Sequence, residues 1–385
     1  MNFSNPKVLI AAFITVAVGV GGYFLRDKII VEKQTSDAAG SADLNFDGKV
    51  DVIDLGIFLA NWNATNKPSS DLNSDSKVDV IDLGILLSKW GDQNDNLALL
   101  DIFVIPDDGT LMTDDDIDLR AAVRRFYALY PERDVYDFLN VITTTPTRTG
   151  ARHVRVKDPV DTDRGIGAAP WQVPIEGSSR LRGINSLGPI SIWENAQLVE
   201  QNMWLLDHEA GHQWLYFLLG PDFGGTGVHY SNFANTGFLR DGEEWADVFG
   251  GFIWHDNGDG TMSIPESFYS AKEAFSPLSL YLMGFVPPSE VPNFSFVVPQ
   301  NPTDSVAGRV TGSFKTFSIE DVIERYGQRE PSYLNSQKDF RMAYLIVHKK
   351  DVPPAPEQLE GIAHLARTYP EHWSFVTNGL STINR

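Results

Sequence analysis

The run Asp207-His208-Glu209-Ala210-Gly211-His212 carries the clearest chemistry in this chain. His208 and His212 stand four residues apart, so on a helix their imidazoles share one face, about one turn apart, and can hold one metal ion. Glu209 sits beside them and can take a proton from a water that the metal activates. Catalytic sites of this kind use three protein ligands and keep one position open. Two candidates for the third ligand follow. One is His229, in Gly227-Val-His-Tyr-Ser-Asn232, 17 residues beyond His212 and past a glycine-rich turn (Gly224, Gly225, Gly227). The other is Glu243 or Glu244, in Asp241-Gly-Glu-Glu-Trp-Ala-Asp247, with Asp247 as hydrogen-bond partner of a ligating histidine.

A helix has to present the first two ligands. Leu198, Val199, Met203, Leu205, Leu206, Leu215, Tyr216 and Leu219 recur at near-helical spacing, and Gly220-Pro221 is a stop signal. One helix reaching Leu219 is therefore expected. Ahead of it the chain reads as strand (Leu97 to Ile105), helix (Ile117 to Tyr130), strand (Tyr136 to Thr145), a long loop (146–180) and a strand within Leu181 to Trp193. Asp114-Asp-Asp116 reads as the charged start of the Ile117 helix. Asp256, Asn257 and Asp259 read as turn residues before they read as cation ligands. His153, His255, His348, His364 and His372 read as structural or exposed.

An apolar fraction of 42% suffices for a substantial core over 385 residues. The formal charge of -20 argues against a nucleic-acid partner, because phosphate binding needs clustered Lys and Arg. There is no cysteine, so redox chemistry does not indicate a compartment. Residues 1–41 contain an uncharged apolar run, Val8 to Leu25, between Lys7 and Arg26. As a helix it would span about 27 Å, close to the roughly 30 Å hydrocarbon core. It reads as an uncleaved N-terminal transmembrane signal-anchor in preference to a cleaved signal, with the rest of the protein outside the cell and tethered to the membrane; if the segment is cut, the protein is secreted.

Residues 42–92 hold an internal repeat. Val50-Asp-Val-Ile-Asp-Leu-Gly-Ile-Phe-Leu-Ala-Asn-Trp62 recurs as Val78-Asp-Val-Ile-Asp-Leu-Gly-Ile-Leu-Leu-Ser-Lys-Trp90. Before each copy lies an oxygen-rich loop. Asp43, Asn45, Asp47, Lys49 (through its carbonyl), Asp51 and Asp54 fall at loop positions 1, 3, 5, 7, 9 and 12, and Asp71, Asn73, Asp75, Lys77, Asp79 and Asp82 do the same. Hard oxygens at this spacing suit Ca2+, one ion per loop and two in all. Gly48 fills the turn position in the first loop, and Ser76 replaces it in the second, where strain is expected. The segment resembles a type I dockerin, the duplicated calcium module that docks onto cohesin domains of polysaccharide-associated complexes. It departs at loop positions 10 and 11, where Val52-Ile53 and Val80-Ile81 stand in place of hydroxyl residues, which argues against a standard cohesin and leaves an apolar contact to an unusual cohesin-type partner or to the protein's own catalytic domain.

His208-Glu-x-x-His212 is also the signature of the zinc peptidases called zincins. Residues 97–385 resemble a group of secreted zincin-like proteins in which a His-aromatic-Ser element follows the metal helix and a Tyr-Leu-Met-Gly element comes later. The resemblance implies an α+β zincin-like catalytic domain, a mixed sheet with the active-site helix behind it, preceded by the all-α dockerin-like module. It implies one catalytic Zn2+ on His208, His212 and His229, with Glu209 as the catalytic base. It implies an apolar floor from Tyr281-Leu-Met283-Gly284 and a substrate edge within Gly183 to Ile192. The expected activity is a zinc-dependent endopeptidase, a hydrolase acting on protein or peptide. The alternatives are a non-catalytic cohesin-binding scaffold component and a zinc-dependent or glycosidic hydrolase of a non-peptide substrate; a glycosidase would need two carboxylates flanking a sugar.

Overall fold

The computed structural model describes residues 42, 44, 50–64, 70–73, 75–90, 97–113, 116–147, 150–157, 165–166, 172–216, 218–264, 272–301, 309–349 and 353–384. Seven α-helices and three sheets lie among them. The main sheet has the order β1 (Ile102–Asp107), β14 (Asp339–Lys349), β2 (Phe138–Thr143), β4 (Gly183–Pro189), β3 (Arg152–Arg155), and β15 (Thr382–Asn384) pairs with β14. Every pairing is parallel except β3 with β4.

Parallel strands are stable when both faces are covered, and their side chains alternate between the faces. Ile102, Phe138, Ile142, Met342, Tyr344 and Ile346 pack on one face with the helices Ala196–Gly211 and Pro356–Val376. Phe103, Ile105, Leu139, Val141, Ala343, Leu345 and Val347 pack on the other with Ala122, Val123 and Phe126 of Leu119–Leu129. In chain order the helices are α1 (Val52–Ala60), α2 (Val80–Ser88), α3 (Leu119–Leu129), α4 (Ala196–Gly211), α5 (Pro277–Met283), α6 (Ile319–Tyr326) and α7 (Pro356–Val376).

The large fold is therefore mixed α/β, which corrects the α+β expectation. The difference comes from β14, a late strand that inserts between β1 and β2 and leaves the sheet largely parallel. As for the transmembrane expectation, no helix among the described residues is long and apolar enough to cross a membrane. Val8 to Leu25, on which that expectation fell, lies outside the described residues. A second correction concerns the sheet edge. β4 is interior, and the edge is β3, a four-residue strand inside the stretch that reads as loop. Its short alternation is hidden among Gly, Pro and charged neighbours.

Two smaller sheets flank the end of α4. One has the order β8 (Gly250–Phe252), β5 (Tyr230–Asn235), β12 (Phe294–Pro299), β13 (Arg309–Phe317), β10 (Thr261–Ser263), β9 (His255–Asp256). The other runs β11 (Lys272–Ala274), β7 (Glu243–Asp247), β6 (Phe238–Arg240).

The repeat forms a small core of its own around Leu44, Val50, Phe58, Leu72, Val78 and Leu86. Its two halves are built alike. Asp54 is fully buried and accepts from the N–H groups of Leu44 (2.6 Å) and Asp51 (2.8 Å). Asp82, also fully buried, accepts from Leu72 (2.7 Å), Asn73 (3.0 Å) and Asp79 (2.9 Å). Asp71 holds the N–H groups of Asp75 and Ser76. Ser76 has φ 71°, the left-handed conformation expected where the first copy has glycine. Asp43, Asn45, Asp47 and Lys49 lie outside the described residues. Replacing Asp82 with Ala strands three N–H donors, so the variant is expected to lose roughly 3 kcal/mol of stability. The loss should show as selective proteolysis of the repeat while the large fold keeps its melting temperature.

Candidate metal centre

α4 starts at the N-cap Asn195, whose side chain accepts from Leu198 N–H at 3.0 Å. It ends at Gly211, eight residues short of the expected Leu219, and His212 is its C-cap. Beyond it the chain turns: Gln213 N–H bonds to Ala210 O and Trp214 N–H to Gly211 O. His208 and His212 still share a face, with ring centroids 4.8 Å apart. The loop 224–229 then crosses the segment that follows the helix, at Leu218 and Leu219. Gly225 passes so close to the carbonyls of Leu218 and Leu219 that a Cβ would lie 2.0 Å or less from each oxygen. Thr226 closes the turn, donating to His229 O from both its N–H and its hydroxyl at 2.8 Å.

His229 thereby joins the pair. Its ring lies 4.9 Å from that of His208 and 5.1 Å from that of His212. One nitrogen of each ring lies within 4.8 Å of the other two, and among the described residues no other group of three or more His, Asp or Glu converges in this way. The carboxylates of the second calcium-type loop, Asp71, Asp75, Asp79 and Asp82, are not gathered so closely. Glu243 is exposed and paired with Lys272, and Glu244 is exposed beside His255 at 3.3 Å, so neither joins the histidines. Asp247 is buried and accepts from Phe249 N–H, Ser276 N–H and the Ser279 hydroxyl, not from a ligating histidine.

What holds the imidazoles is next door. His208 Nδ1 lies 3.0 Å from the carbonyl of Val248, and His212 Nδ1 lies 3.3 Å from that of Leu215. A ring nitrogen facing a carbonyl must carry the proton, so both rings present an unprotonated Nε2. His208 Nε2 and His229 Nε2 are 3.0 Å apart. Two lone pairs at that distance repel unless a proton or a cation lies between them. Burial lowers all three histidines from their ordinary value, His212 to about 3, and the neighbouring imidazoles lower His208 and His212 further. They are neutral at pH 7, the form that binds metal.

Phe249 forms the floor. It stacks on His208 at 4.7 Å and meets His212 edge-on at 4.8 Å. The expected floor of Tyr281 to Gly284 is instead part of α5 and its cap: Leu280, Tyr281, Leu282 and Met283 are buried in the core, and Gly284 closes the helix with φ 82°. Gly211 makes the approach of Phe249 possible, since a Cβ there would meet Phe249 at 2.6 Å and Phe275 at 3.0 Å. Glu209 is 4% exposed, and its Oε2 has no hydrogen-bond partner. Burial raises its carboxyl to about 7, against the charge of Arg152. Tyr230, whose hydroxyl pairs with Ser279 at 3.2 Å, is a core residue.

The back of α4 is tied to α7. Asp207, 2% exposed, accepts from His372 Nε2 at 2.6 Å. His372 is thus structural, and its place in the structure is definite, because it anchors the helix that carries His208 and His212. No protein-family model, curated protein or solved structure matches this chain.

Two outcomes are expected. Gly211→Ala would force Phe249 off the imidazoles, with an overpacking cost of about 1–3 kcal/mol and weaker metal binding, readable by calorimetric titration. His372 combines a lowering from burial with a larger raising by Asp207, for a net rise above 6.5. A raised folded-state value means that its stabilisation is complete below pH 6.5 and is lost as the pH climbs through that higher value. The melting-temperature gap between the wild type and His372→Gln should therefore narrow with rising pH.

Proposed function

We propose that this protein is a zinc-dependent hydrolase of the zincin type, acting on protein or peptide. The observation that carries this reading is the convergence of His208, His212 and His229 beside a buried carboxylate, Glu209, that has an unpartnered oxygen. Three neutral nitrogen donors suit Zn2+, and three is the ligand number that leaves a position open for chemistry. When bound, zinc supplies a Lewis acid that polarises a carbonyl and activates water. The rest is the work of the chain. The Val248 and Leu215 carbonyls hold two rings in the ligating tautomer. Phe249 excludes water beneath them. Glu209 takes the proton of the attacking water and passes it to the leaving amine.

Trp204, 47% exposed and one turn before His208, and Val228, 50% exposed and next to His229, give the approach an apolar lip. That lip fits the side chains of an unfolded polypeptide. The repeat stands beside this reading as a calcium-dependent docking module. Its exposed Val52, Val80 and Ile81 offer an apolar face to a cohesin-type partner.

The test compares cleavage of an unfolded protein by the full chain, by Glu209→Gln and by His229→Ala, with zinc content measured for each. Glu209→Gln should keep zinc and lose turnover by roughly 10²–10⁴-fold. His229→Ala should lose zinc. Turnover surviving in Glu209→Gln would rule out the mechanism.

A further inference from the structure

Beneath the end of α4 a line of buried and half-buried polar side chains runs across one face of the sheet. It starts on β2, where Asn140 is fully buried among Phe138, Ile142 and their neighbours. Asn185 of β4, also fully buried, donates its amide N–H to Asn140 Oδ1 at 2.8 Å. That bond fixes which way Asn185 faces: its Oδ1 points to β3 and lies 2.7 Å from His153 Nδ1. The other ring nitrogen of His153, Nε2, lies 3.2 Å from Gln213 Oε1. Gln213 is 3% exposed and follows His212 directly in the chain. The line thus joins three adjacent strands to the residue after a metal ligand. Buried amides cost free energy unless paired; Asn185 is bonded on both sides, while the amide nitrogen of Asn140 has no partner.

The ring of His153 has little freedom. Its Cε1 comes close to the bare Cα of Gly183, where a Cβ would meet it at 2.4 Å. Burial pulls His153 down to about 4, so at pH 7 it is neutral and has a single N–H. Asn185 Oδ1 takes that proton at Nδ1, and Nε2 is left as an acceptor. A half-turn of the Gln213 amide exchanges its oxygen and nitrogen without steric change and sets an N–H on that acceptor. The donors then run in one direction, from Gln213 to His153 to Asn185 to Asn140.

We propose that His153 is a positioning residue: through Gln213 it ties the C-terminal turn of α4 to the sheet and so sets where the His212 imidazole stands. The helix hydrogen bonds end at this turn, where the chain leaves α4 for the loop that brings in His229. Without the tie, His212 is free to drift by the few tenths of an ångström that metal geometry does not tolerate. The inference rests on the reading of the three histidines as a metal site, but it needs neither turnover nor a substrate.

The experiment loads the full chain with cobalt(II) alone, and reads both affinity and the visible d–d spectrum of the ion. His153→Phe fills the space and removes both bonds. It is expected to bind cobalt about 10- to 100-fold more weakly, as loss of an outer partner of a ligand does, with a shifted spectrum. His153→Gln keeps an amide within reach of Gln213 and should recover most of both. Gln213→Met cuts the line from the helix side, spares the sheet and serves if His153→Phe does not fold; it should reproduce the loss. A wild-type spectrum and affinity in His153→Phe or Gln213→Met would overturn the positioning role alone. Absence of cobalt binding by the wild type would overturn the metal site itself, and the positioning role with it.

Discussion

Phe249 lies against the bare Cα of Gly211, and the site depends on that contact. With a side chain at position 211 the ring could not come in, and its neighbour Val248 would not bring a carbonyl to His208 Nδ1. One close approach therefore does two things: it places a flat apolar surface under the imidazoles, and it sets the tautomer of the first ligand. The turn between β7 and β8 is the carrier of both groups. Because β5 pairs with β8 and begins at Tyr230, the same turn is also linked to the loop of His229, through the bond from Tyr230 N–H to Phe249 O. The floor, the tautomer of His208 and the placing of His229 are parts of one packing solution.

Electrostatics follows from the same packing. Three imidazoles and a carboxyl are drawn partly out of solvent, and desolvation is the largest influence on each of them. Histidines are driven neutral and Glu209 is driven toward its protonated form. Without a cation the pocket holds converging lone pairs and an unpaired carboxyl oxygen, an arrangement that costs folding free energy. Proteins tolerate such a cost where a ligand or a reaction relieves it.

The sequence was most legible where spacing alone sets geometry. A separation of four residues on a helix places His208 beside His212 whatever the fold around them. A repeated loop pattern makes Asp54 and Asp82 equivalent, and they bond alike. His229 was readable through its glycines, since Gly225 permits a crossing that a larger residue forbids. Other features depend on partners distant in sequence and left no local trace. Nothing near Val248 announces a carbonyl for His208, 40 residues away. β3 is too short for its period to stand out. β14 did leave a signal, since Met342 to Val347 is an unbroken apolar run of the kind that a strand covered on both faces requires. Its place between β1 and β2 is a matter of topology, which such a run does not encode.

That place governs the order in which the molecule can be made. β1 and β2 leave the ribosome early, joined through α3, yet they do not pair with each other: the gap between them is filled by residues 339–349. Until that late segment is synthesised, β1 and β2 expose unsatisfied backbone and apolar faces, and α4 has only part of its sheet to lie on. The nascent chain thus carries a complete His208-Glu-x-x-His212 sequence long before it carries a finished pocket. For a site proposed to cut polypeptides, that order postpones a complete supporting sheet until residues 339–349 have been made.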